Sequence, residues 1–401
     1  MPVSDSNKQQ LKILQIFSRY LEYGGEEGSV YRIAKALDQN YSVKGFYYST
    51  EELINQPGLR KLLVPFKVFH NWDIIKKLQE EQKSGKYQIW QIHNVFPALS
   101  PAVYKLAFKL RVPVVQYLHN YRFGCINGFF LNHGKACQRC MHGDFFPAFK
   151  TACWHGSHLQ SGIMGAVTAH ARKMDLFNGV DHWIAISEAL KNEYVAMGVP
   201  NDRITVIPHF FESAEASEPY PVNGDALFVG RLSPEKGVDR LFQAWKLVPE
   251  SGKTLWIVGD GPERGRLEVM SRTMALKNVR FTGFLDHSEM SRIWANAALS
   301  VVPSIWKEPF GMVVLEAWSK RRPVVAHRLG ALQEIITHGE DGFLVPADNP
   351  NEMADAMQAI LFNPEFGEGM GNCGKERLDR NFSKSQWSQR IGDVFKKILV
   401  D

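Results

Sequence analysis

The sequence has no uninterrupted apolar run of the about 18–20 residues that a membrane-spanning helix needs. The N-terminal stretch Met1 to Leu11 is polar and has no apolar segment after a basic one, so we expect no export signal and a cytoplasmic protein. With 5 cysteines in 401 residues, the chain is not a small disulfide-stapled scaffold. A hydrophobic content of 45% and a charged content of 22% exclude wholesale disorder and indicate a globular protein with a large core.

Acidic residues are absent from Gln82 to Gly143, although this stretch holds eight basic residues. Up to Phe211 the chain has 24 Lys and Arg against 16 Asp and Glu, whereas the remainder has 23 against 26. A basic first half suggests an anionic partner for that half. The alternative is a run of buried strands and helices with a few solvated cations.

Short apolar runs alternate with amphipathic stretches, which predicts the strand–helix units of doubly wound parallel sheets. Since a domain has about 100–200 residues, we expect two such α/β domains. A segment rich in Glu, Ser, Ala and Pro separates two series of these units. The predicted bounds are 1–211 for the first domain, 212–224 for a linker, 225–381 for the second domain and 382–401 for a terminal helix.

An anion-binding pattern follows the predicted strand that ends at Val229. Gly230 permits a sharp turn, and Arg231 and Lys236 lie five residues apart on one loop that leads into a helix. Both cations can reach an anion at the helix N-terminus, where unpaired N–H groups and the helix dipole already favour negative charge. The pattern indicates a phosphate site, while two solvated cations on a surface loop are the plainer interpretation.

Two carboxylates, Glu308 and Glu316, have seven residues between them. The first lies on another predicted strand-to-helix loop and the second near the start of the helix. Pro309 keeps Glu308 out of helical geometry, and Gly311 lets a ligand approach the backbone closely. Carboxylates at the carboxyl end of a parallel strand are good acceptors for sugar hydroxyls, including those of ribose. An exposed Glu followed by a Glu placed for the helix dipole is the alternative.

The first half contributes three further candidates, each placed after a predicted parallel strand. Gly24 and Gly25 follow the first strand, and His119 follows the strand that ends at Leu118. A double glycine is often only a turn, and a lone histidine is often structural. Their shared position at carboxyl ends of strands indicates that they face a ligand cleft.

These segments together resemble the retaining glycosyltransferases of family four, which have the GT-B fold of two Rossmann-like domains facing each other across a cleft. The most specific element runs from Glu308 to Glu316 and resembles the E-x(7)-E signature of that family. The stretch from Gly230 to Gly237 resembles its diphosphate-binding loop, G-R-x(4)-K-G. Ala331 departs from a double glycine that is more usual in the family. The resemblance covers nearly the whole chain.

The resemblance also assigns roles to residues of the first domain and the terminal segment. Gly24 and Gly25 match the N-terminal glycine loop of the family, and His119 matches its active-site histidine. The last stretch, Phe382 to Leu399, resembles the terminal helix that in this fold returns to the first domain. The first domain would then bind the acceptor, with its cysteine-rich loop 122–155 beside the cleft.

The resemblance implies a retaining hexosyltransferase whose second domain binds a nucleotide-diphosphate sugar. Arg231 and Lys236 would hold the diphosphate, Glu316 the ribose and Glu308 the hexose, with Gly311 allowing close approach, and His119 would contact the sugar near the anomeric centre. A UDP-sugar is the first expectation for the donor and GDP-mannose the second. The sequence has no Asp-x-Asp motif, so we expect transfer without a catalytic metal.

The implied acceptor is a glycan or a lipid-diphosphate-linked sugar in the synthesis of bacterial surface polysaccharide or lipopolysaccharide. The basic first domain suits such an acceptor and a peripheral contact with the anionic inner face of the plasma membrane. No nucleic acid is expected as a partner.

Cysteine is concentrated in one region, since four of the five residues lie between 125 and 153. Cys137 and Cys140 have the C-x2-C spacing that lets two thiolates chelate one metal ion, and Cys125 and Cys153 complete a four-thiolate set. A similar grouping occurs in a subset of family-four enzymes. We expect a structural zinc ion, with an iron–sulfur cluster as the weaker option. Four buried thiols without a metal are the alternative, and nearby histidines that could replace a ligand are His133, His142 and His155.

Two other classes of function compete with this hypothesis. A nucleic-acid-binding protein with a zinc module in the acid-poor stretch is one, but no finger-like helix pattern follows the cysteines and Glu308 and Glu316 would have no role. A sugar-nucleotide epimerase or a phosphorolytic enzyme on a similar two-domain scaffold is the other.

Overall fold

The computed structural model describes residues 10–21, 24–56, 58–212, 219–250 and 252–400. The polar N-terminal residues 1–9 and positions 213–218 of the predicted linker lie outside the described residues. The described chain forms two six-stranded sheets and one two-stranded hairpin.

The strands are mostly short apolar runs of the kind that a parallel sheet buries on both faces. In chain order the described strands are β1 (Lys12–Arg19), β2 (Ser42–Ser49), β3 (Ile89–Asn94), β4 (Val114–Tyr117), β5 (Leu131–Asn132), β6 (Lys135–Ala136), β7 (His182–Ala185), β8 (Ile204–Val206), β9 (Asp225–Val229), β10 (Leu255–Val258), β11 (Val279–Gly283), β12 (Ala297–Val302), β13 (Val324–His327) and β14 (Gly342–Val345).

Both large sheets are parallel throughout, and their strand orders place two crevices. The first sheet has the order β2-β1-β3-β4-β7-β8 and the second β11-β10-β9-β12-β13-β14. The order reverses between β1 and β3 in the first sheet and between β9 and β12 in the second. Crossover connections leave in opposite directions at such a point, so a crevice opens at the carboxyl ends of these strands. The predicted architecture of two doubly wound α/β domains is confirmed.

Helices cover the sheets, and three 3-10 turns join them at Gly58–Leu63, Asn201–Arg203 and Pro234–Lys236. No helix in the described ranges is long and apolar enough to span a membrane. In chain order the described helices are α1 (Gly25–Leu37), α2 (Thr50–Ile54), α3 (Val64–Lys67), α4 (Trp72–Gly85), α5 (Ala102–Leu110), α6 (Phe146–Lys150), α7 (His158–Lys173), α8 (Leu176–Gly179), α9 (Glu188–Ala196), α10 (Val238–Trp245), α11 (Arg264–Thr273), α12 (His287–Asn296), α13 (Met312–Ser319), α14 (Leu332–Ile335), α15 (Pro350–Leu361), α16 (Pro364–Asn381) and α17 (Lys384–Val400).

The central strands form the cores of the two sheets. All six residues of β3 and all six of β12 are buried, whereas the edge strand β2 is partly exposed along its length. Burial of both faces explains why β12 is apolar apart from Ser300, whereas β3 buries three polar residues, Gln91, His93 and Asn94. The loops that follow β3 and β12 are therefore held in place by rigid, fully packed strands.

The last helix, α17, packs against the first sheet. Trp387 donates a hydrogen bond from Nε1 to the hydroxyl of Tyr117, at 3.1 Å, and Phe395 contacts the ring of Tyr41 edge-on. The chain therefore crosses back from the second sheet to the first before it ends at the described residue 400.

Candidate active site

The loops after β9 and β12 meet at the crevice of the second sheet. Gly237 ends the loop after β9 with a φ of +65°, and a Cβ placed there would lie 2.1 Å from the carbonyl oxygen of Pro303, which follows β12. Only glycine adopts this conformation at this distance without strain. Gly237 therefore lets the loop with Lys236 pack directly against the neighbouring loop that carries Glu308.

Lys236 and Glu308, predicted from separate motifs, form an ion pair in this crevice. Nζ of Lys236 donates to Oε1 of Glu308 at 2.7 Å, and the hydroxyl of Ser304 donates to the same oxygen at 2.7 Å. Glu308 is 4% exposed. Burial alone would raise the pKa of Glu308, but the Lys236 charge and these hydrogen bonds hold it below its ordinary value. The carboxylate is therefore ionised at neutral pH.

Arg231 occupies a different place from Lys236 on the same loop. Its side chain is exposed, and its charge reaches the first sheet's side of the cleft. The pKa of His155 is lowered by burial and further by the charges of Arg122 and Arg231. Arg231 is thus more exposed than Lys236, and it lies near enough to His155 of the cysteine-rich loop to lower the pKa of that histidine.

The segment around Ala331 covers the backbone of Glu308. Gly330 has a φ of +58°, and a Cβ there would lie 2.4 Å from the Glu308 carbonyl oxygen. The amide of Ala331 donates to that same carbonyl at 2.8 Å. Ala331 itself is right-handed, with a φ of −66°, and is fully buried. The departure from a double glycine is therefore accommodated, because position 331 requires no positive φ.

Glu316 lies on α13, which begins at Met312 after Gly311 in a left-handed conformation with a φ of +107°. Burial raises the pKa of Glu316 to about 7, and the charge of Arg32 from the first domain opposes this shift. Arg32 also lies 3.8 Å from the sulfur of Met312. Glu316 thus faces a cation of the other domain, a neighbour that no sequence motif indicated.

A glycine pair that was not singled out from the sequence supports the loop after β9. Gly259 and Gly261 follow β10 with φ values of +123° and +158°, and a Cβ at Gly259 would lie 2.0 Å from the carbonyl oxygen of Gly230. The two loops are in backbone contact, since the amide of Leu232 donates to the carbonyl of Asp260 at 2.9 Å. The dipeptides Asp260-Gly261 and Gly261-Pro262 follow the strand, and they were the sequence signal that could have indicated this turn.

Gly24 and Gly25 begin α1 at the crevice of the first sheet. Neither has a positive φ, and a Cβ at either would meet no described atom within 4 Å. No contact inside the described protein therefore requires glycine here. The open space beside both residues suits the close approach of a ligand to the start of the helix.

His119 is stacked between other aromatic rings at the end of β4. Its ring lies parallel to those of Tyr117 and His93, each with a centroid distance of 5.1 Å, and to His209 at 5.6 Å. His209 in turn contacts Phe310 edge-on at 5.2 Å. Burial lowers the pKa of His119 to about 3, so the ring is neutral. His119 is therefore connected to the segment from Glu308 to Glu316 through His209 and Phe310.

A buried polar group, also absent from the sequence predictions, lies beside Asn120. Asn120 Nδ2 donates to Oε2 of Glu26 at 2.9 Å, and the Tyr20 hydroxyl donates to the same oxygen at 3.1 Å. Burial raises the pKa of Glu26 to about 7. The guanidinium of Arg122 lies between the rings of Tyr20 and Trp154, at 5.5 and 4.8 Å. Within the described residues, Nε and Nη1 of Arg122 have no hydrogen-bond partner.

Direct contacts hold the two sheets' loops against each other. The carboxylate of Glu334 accepts the amides of Glu188 and Ala189 at the start of α9. Lys307 pairs with Glu193 on the same helix. A helix N-terminus favours a carboxylate, so Glu334 of the second domain acts as a capping group for a helix of the first.

Trp306 connects the cysteine-rich loop to the ion pair. Its ring contacts Phe129 edge-on at 5.0 Å and Tyr121 at 6.4 Å, and Nζ of Lys236 lies 5.5 Å from its centroid. Trp306 therefore contacts both the loop that follows His119 and Lys236, the cation that was predicted to hold a diphosphate.

The four clustered cysteines have hydrogen-bonding neighbours within the protein. Cys125 donates a hydrogen bond to Asn127, and Arg139 donates one to Cys137. Cys153 is hydrogen-bonded to Asn132 and Thr151. Burial, with a contribution from the other three thiols, raises the pKa of Cys140 to about 12. Among the described residues, no group of three or more His, Cys, Asp or Glu side chains could hold a metal ion. Because the other three thiols each contribute to the raised pKa of Cys140, the four side chains lie near one another. The four-thiolate zinc site stays a prediction.

Two family models match the chain and together cover most of its length. One describes glycosyltransferase family 4 and matches residues 23–215, and the other describes glycosyl transferases group 1 and matches residues 223–363. The first match includes the loops after β1 and β4, and the second includes the loops after β9 and β12.

Curated relatives include glycosyltransferases of several kinds. An uncharacterised glycosyltransferase of Methanocaldococcus jannaschii is 26% identical over 82% of this chain and 81% of its own length. A phosphatidyl-myo-inositol mannosyltransferase of Mycobacterium leprae is 34% identical over 53% of this chain and 56% of its own length. A lipopolysaccharide core biosynthesis glycosyltransferase of Rhizobium meliloti is 30% identical over 42% of this chain and 48% of its own length. Apart from the first, the chain spans about half the length of these relatives.

Solved structures share the fold. Sucrose-phosphate synthase of Thermosynechococcus elongatus has a TM-score of 0.71 and 20% identity, over 98% of this chain and 100% of its own. HepE of Anabaena, in complex with UDP-glucose, has a TM-score of 0.65 and 19% identity, over 96% and 100%. The predicted arrangement of two Rossmann-like domains in the GT-B fold is confirmed.

Proposed function

We propose, on the premise that this chain is a glycosyltransferase with the GT-B fold, that it transfers a hexose from a nucleotide-diphosphate sugar with retention of anomeric configuration and without a catalytic metal. The observation that carries the proposal is the ion pair of Lys236 and Glu308 in the crevice of the second sheet. In this pair Nζ of Lys236 lies 2.7 Å from Oε1 of Glu308. A cation for the diphosphate would therefore lie beside a carboxylate that accepts hydrogen bonds from the hexose hydroxyls.

The donor would lie across this crevice with its diphosphate at Lys236 and Arg231. Breaking the bond from the anomeric carbon to the β-phosphate oxygen leaves the electron pair on the phosphate, and a cation fixed beforehand stabilises that charge. Glu308 would accept hydroxyls of the hexose and Glu316 those of the ribose. A UDP-sugar is the first choice, since UDP-glucose occupies HepE, and GDP-mannose is the second.

Retention without a covalent glycosyl-enzyme intermediate requires the acceptor hydroxyl to attack on the face from which the phosphate departs. Its oxygen forms the new bond to the anomeric carbon, and its proton passes to the departing phosphate oxygen. Glu308 is not assigned as a covalent nucleophile, because its Oε1 is already engaged by Lys236 and Ser304. Its role in this proposal is to hold the hexose in position.

The acceptor would bind on the first domain, beside His119 and Arg122. A buried guanidinium with two nitrogens lacking partners among the described residues suits an anionic group. Together with the acid-poor stretch 82–143 and the names of the relatives that act on phosphatidyl-inositol and lipopolysaccharide, this favours a lipid-diphosphate-linked glycan. The protein would then work in bacterial surface polysaccharide or lipopolysaccharide synthesis, in the cytoplasm at the inner face of the plasma membrane.

The test of the function is a thermal-shift screen with UDP-, GDP-, ADP- and dTDP-sugars followed by a transfer assay with the stabilising donor. A donor at about 100 times its dissociation constant should raise the free energy of unfolding by about 2.7 kcal/mol. Formation of an α-linked product from an α-linked donor supports the proposal. An isomerised donor or a released sugar phosphate would identify an epimerase or a phosphorylase instead.

Metal independence gives a separate prediction. Turnover should persist in excess EDTA without added magnesium, because Arg231 and Lys236 supply the charge that a metal ion would otherwise provide. The measurement compares initial rates immediately after EDTA addition with rates after magnesium is added in excess over the EDTA. A rate that returns only with added Mg²⁺ or Mn²⁺ contradicts the proposed mechanism.

Arg122 should recognise the diphosphate of the acceptor. Arg122→Gln is expected to raise the KM for a short-chain prenyl-diphosphate-linked sugar by about 10–100-fold, the loss of a hydrogen bond to a charged group. The KM for an alkyl glycoside that lacks the diphosphate should not change. Lys105→Gln, an exposed cation on α5 in the same acid-poor stretch, is the matched control. Equal effects on both acceptors would show that Arg122 only supports the loop.

A further inference from the structure

A chain of side-chain hydrogen bonds runs from the edge of the first sheet to the ring of His119. The hydroxyl of Tyr47 on β2 donates to Oε1 of Gln15 on β1 at 2.5 Å, and Nε2 of Gln15 donates to Oε1 of Gln91 on β3 at 3.1 Å. His93, also on β3, lies with Nε2 3.3 Å from that Gln91 oxygen and with Nδ1 2.8 Å from Nε2 of His119. Three adjacent strands thus position one ring at the cleft.

In each of these hydrogen bonds, the donor and the acceptor can be assigned. A separation of 2.5 Å suits an O–H···O bond and is too short for a usual N–H···O bond, so the Tyr47 hydroxyl faces the carbonyl oxygen of Gln15 and not its amide nitrogen. The Gln15 amide nitrogen must then face Gln91, whose carbonyl oxygen accepts it. That oxygen has only lone pairs to offer, so Nε2 of His93 carries a proton and donates.

The same assignment of donors and acceptors determines which ring nitrogens of His93 and His119 carry a proton. Burial, with smaller contributions from His119 and His209, lowers the pKa of His93 well below its ordinary value, so the ring is neutral and Nδ1 has a bare lone pair. Nε2 of His119 must therefore carry the proton that lies between the two rings. Because His119 is neutral as well, its remaining nitrogen, Nδ1, is an acceptor.

We propose that His93, held by Gln91 and Gln15, is a positioning residue that fixes His119 in the Nε2–H tautomer, so that Nδ1 accepts a hydrogen bond from a hydroxyl of the sugar in the cleft. This rests on the proposed function. The parallel rings of Tyr117 and His209 contact His119 at 5.1 and 5.6 Å, so its hydrogen bonds are limited to the ring edge. A neutral acceptor there also avoids opposing the positive charge that develops at the anomeric carbon.

The tautomer is measured directly by two-bond ¹H–¹⁵N correlation spectra of protein with ¹⁵N-labelled histidine rings. The His119 signals are assigned by their absence in His119→Asn. In the wild type, His119 should be the Nε2–H form. His93→Phe keeps an aromatic ring in the stack but removes the acceptor, and should give a mixture of both tautomers. His182, whose Nε2 lies 2.8 Å from the hydroxyl of Thr205, serves as the internal control and should not change.

Gln91 provides a second pair of variants in case His93→Phe does not fold. Gln91→Leu removes the oxygen that sets the direction and should also produce mixed tautomers. Gln91→Glu keeps an oxygen acceptor and should retain the Nε2–H form. The kcat of the transfer should fall by about tenfold in His93→Phe and Gln91→Leu, the effect of one misoriented hydrogen bond. In Gln91→Glu the kcat should stay near the wild-type value. The KM for the donor should change less than kcat.

Two outcomes would overturn the proposal. One is an Nδ1–H tautomer for His119 in the wild type, which would mean that the chain runs in the opposite direction. The other is an unchanged tautomer in both His93→Phe and Gln91→Leu. The spectra are recorded without donor, so they test the positioning independently of catalysis. If the wild-type protein transfers no sugar from any donor, the proposed function fails and the hydroxyl partner of Nδ1 is removed from the proposal, whatever the tautomer.

Discussion

Replacing Lys236 with alanine should lower turnover by about 10²–10³-fold, the loss seen when one preorganised charge is removed from a transition state that develops negative charge. The same change leaves the carboxylate of Glu308 in the crevice with the Ser304 hydroxyl but without its cation. Breaking a buried ion pair costs about 3–5 kcal/mol. Because the Lys236 side chain is 27% exposed, we expect a decrease in the free energy of unfolding near the lower end of that range.

A second variant separates the two effects. Lys236→Ala combined with Glu308→Gln removes the unpaired charge, so stability measured by chemical denaturation should largely recover while turnover should not. The affinity for UDP should fall relative to that for UMP, because only the β-phosphate loses a partner. Lys246→Ala, an exposed lysine at the other end of α10, is the matched control. If Lys236→Ala loses stability but keeps turnover within a few-fold, Lys236 only neutralises Glu308 and the diphosphate role is wrong.

The meeting of Lys236 and Glu308 follows from features that the sequence carries. Apolar runs mark buried parallel strands, and loops after such strands lie at the same edge of the sheet. Two loops with polar residues after β9 and β12 were therefore expected at one edge. That β9 and β12 flank the reversal of strand order depends on the pairing of strands 70 residues apart in sequence, for which no local pattern exists.

Contacts between the domains could not be predicted from motifs. Arg32 faces Glu316, and Glu334 caps α9, across sequence separations of well over one hundred residues. Within the first domain, no motif marks His93, and only the structure places its Nδ1 2.8 Å from Nε2 of His119. Each of these pairs depends on how two elements pack, and Arg32, Glu334 and His93 have no unusual local setting in the sequence.

Helix α16 shows how packing overrides local preference. It contains four glycines within Pro364–Asn381, each of which disfavours a helix by about 1 kcal/mol relative to alanine, and no helix was predicted there. A Cβ at Gly371 would lie 2.0 Å from the carbonyl oxygen of Arg321, and one at Gly374 would lie 2.2 Å from the Trp318 ring. The glycines are required by the close approach of α16 to α13 and the loop after it, which only the tertiary structure reveals.

The binding of nucleotide should weaken as the pH falls through about 7, because burial raises the pKa of Glu316 to that value. Protonation removes the charge that accepts the ribose hydroxyls. The stability of the ligand-free protein should change in the opposite direction. A carboxyl whose pKa is higher in the folded than in the unfolded state contributes stability below its unfolded pKa, and this contribution is lost as the pH rises through the folded value. The pKa of Glu26 is raised in the same way, so both groups make the free protein less stable above pH 7.

Glu316→Gln should reduce the affinity for UDP, or for the diphosphate that the screen selects, by about 10–100-fold at pH 8, since a hydrogen bond to a charged group contributes about 1.5–3 kcal/mol. The pH dependence of binding, measured by calorimetry from pH 5.5 to 8.5, should flatten. Glu26→Gln is the matched control: it should reduce the slope of stability against pH while leaving nucleotide affinity unchanged.

The ribose contact itself is isolated by comparing UDP with 2′,3′-dideoxy-UDP. The wild-type protein should bind the dideoxy compound about 10–100-fold more weakly, because the carboxylate of Glu316 is left desolvated without a donor. In Glu316→Gln this difference should shrink to a few-fold, since a neutral amide forms the weaker bonds of an uncharged acceptor. A discrimination that stays as large in the variant as in the wild type would show that the ribose hydroxyls bind elsewhere, and that the carboxylate at position 316 serves its neighbour Arg32 instead.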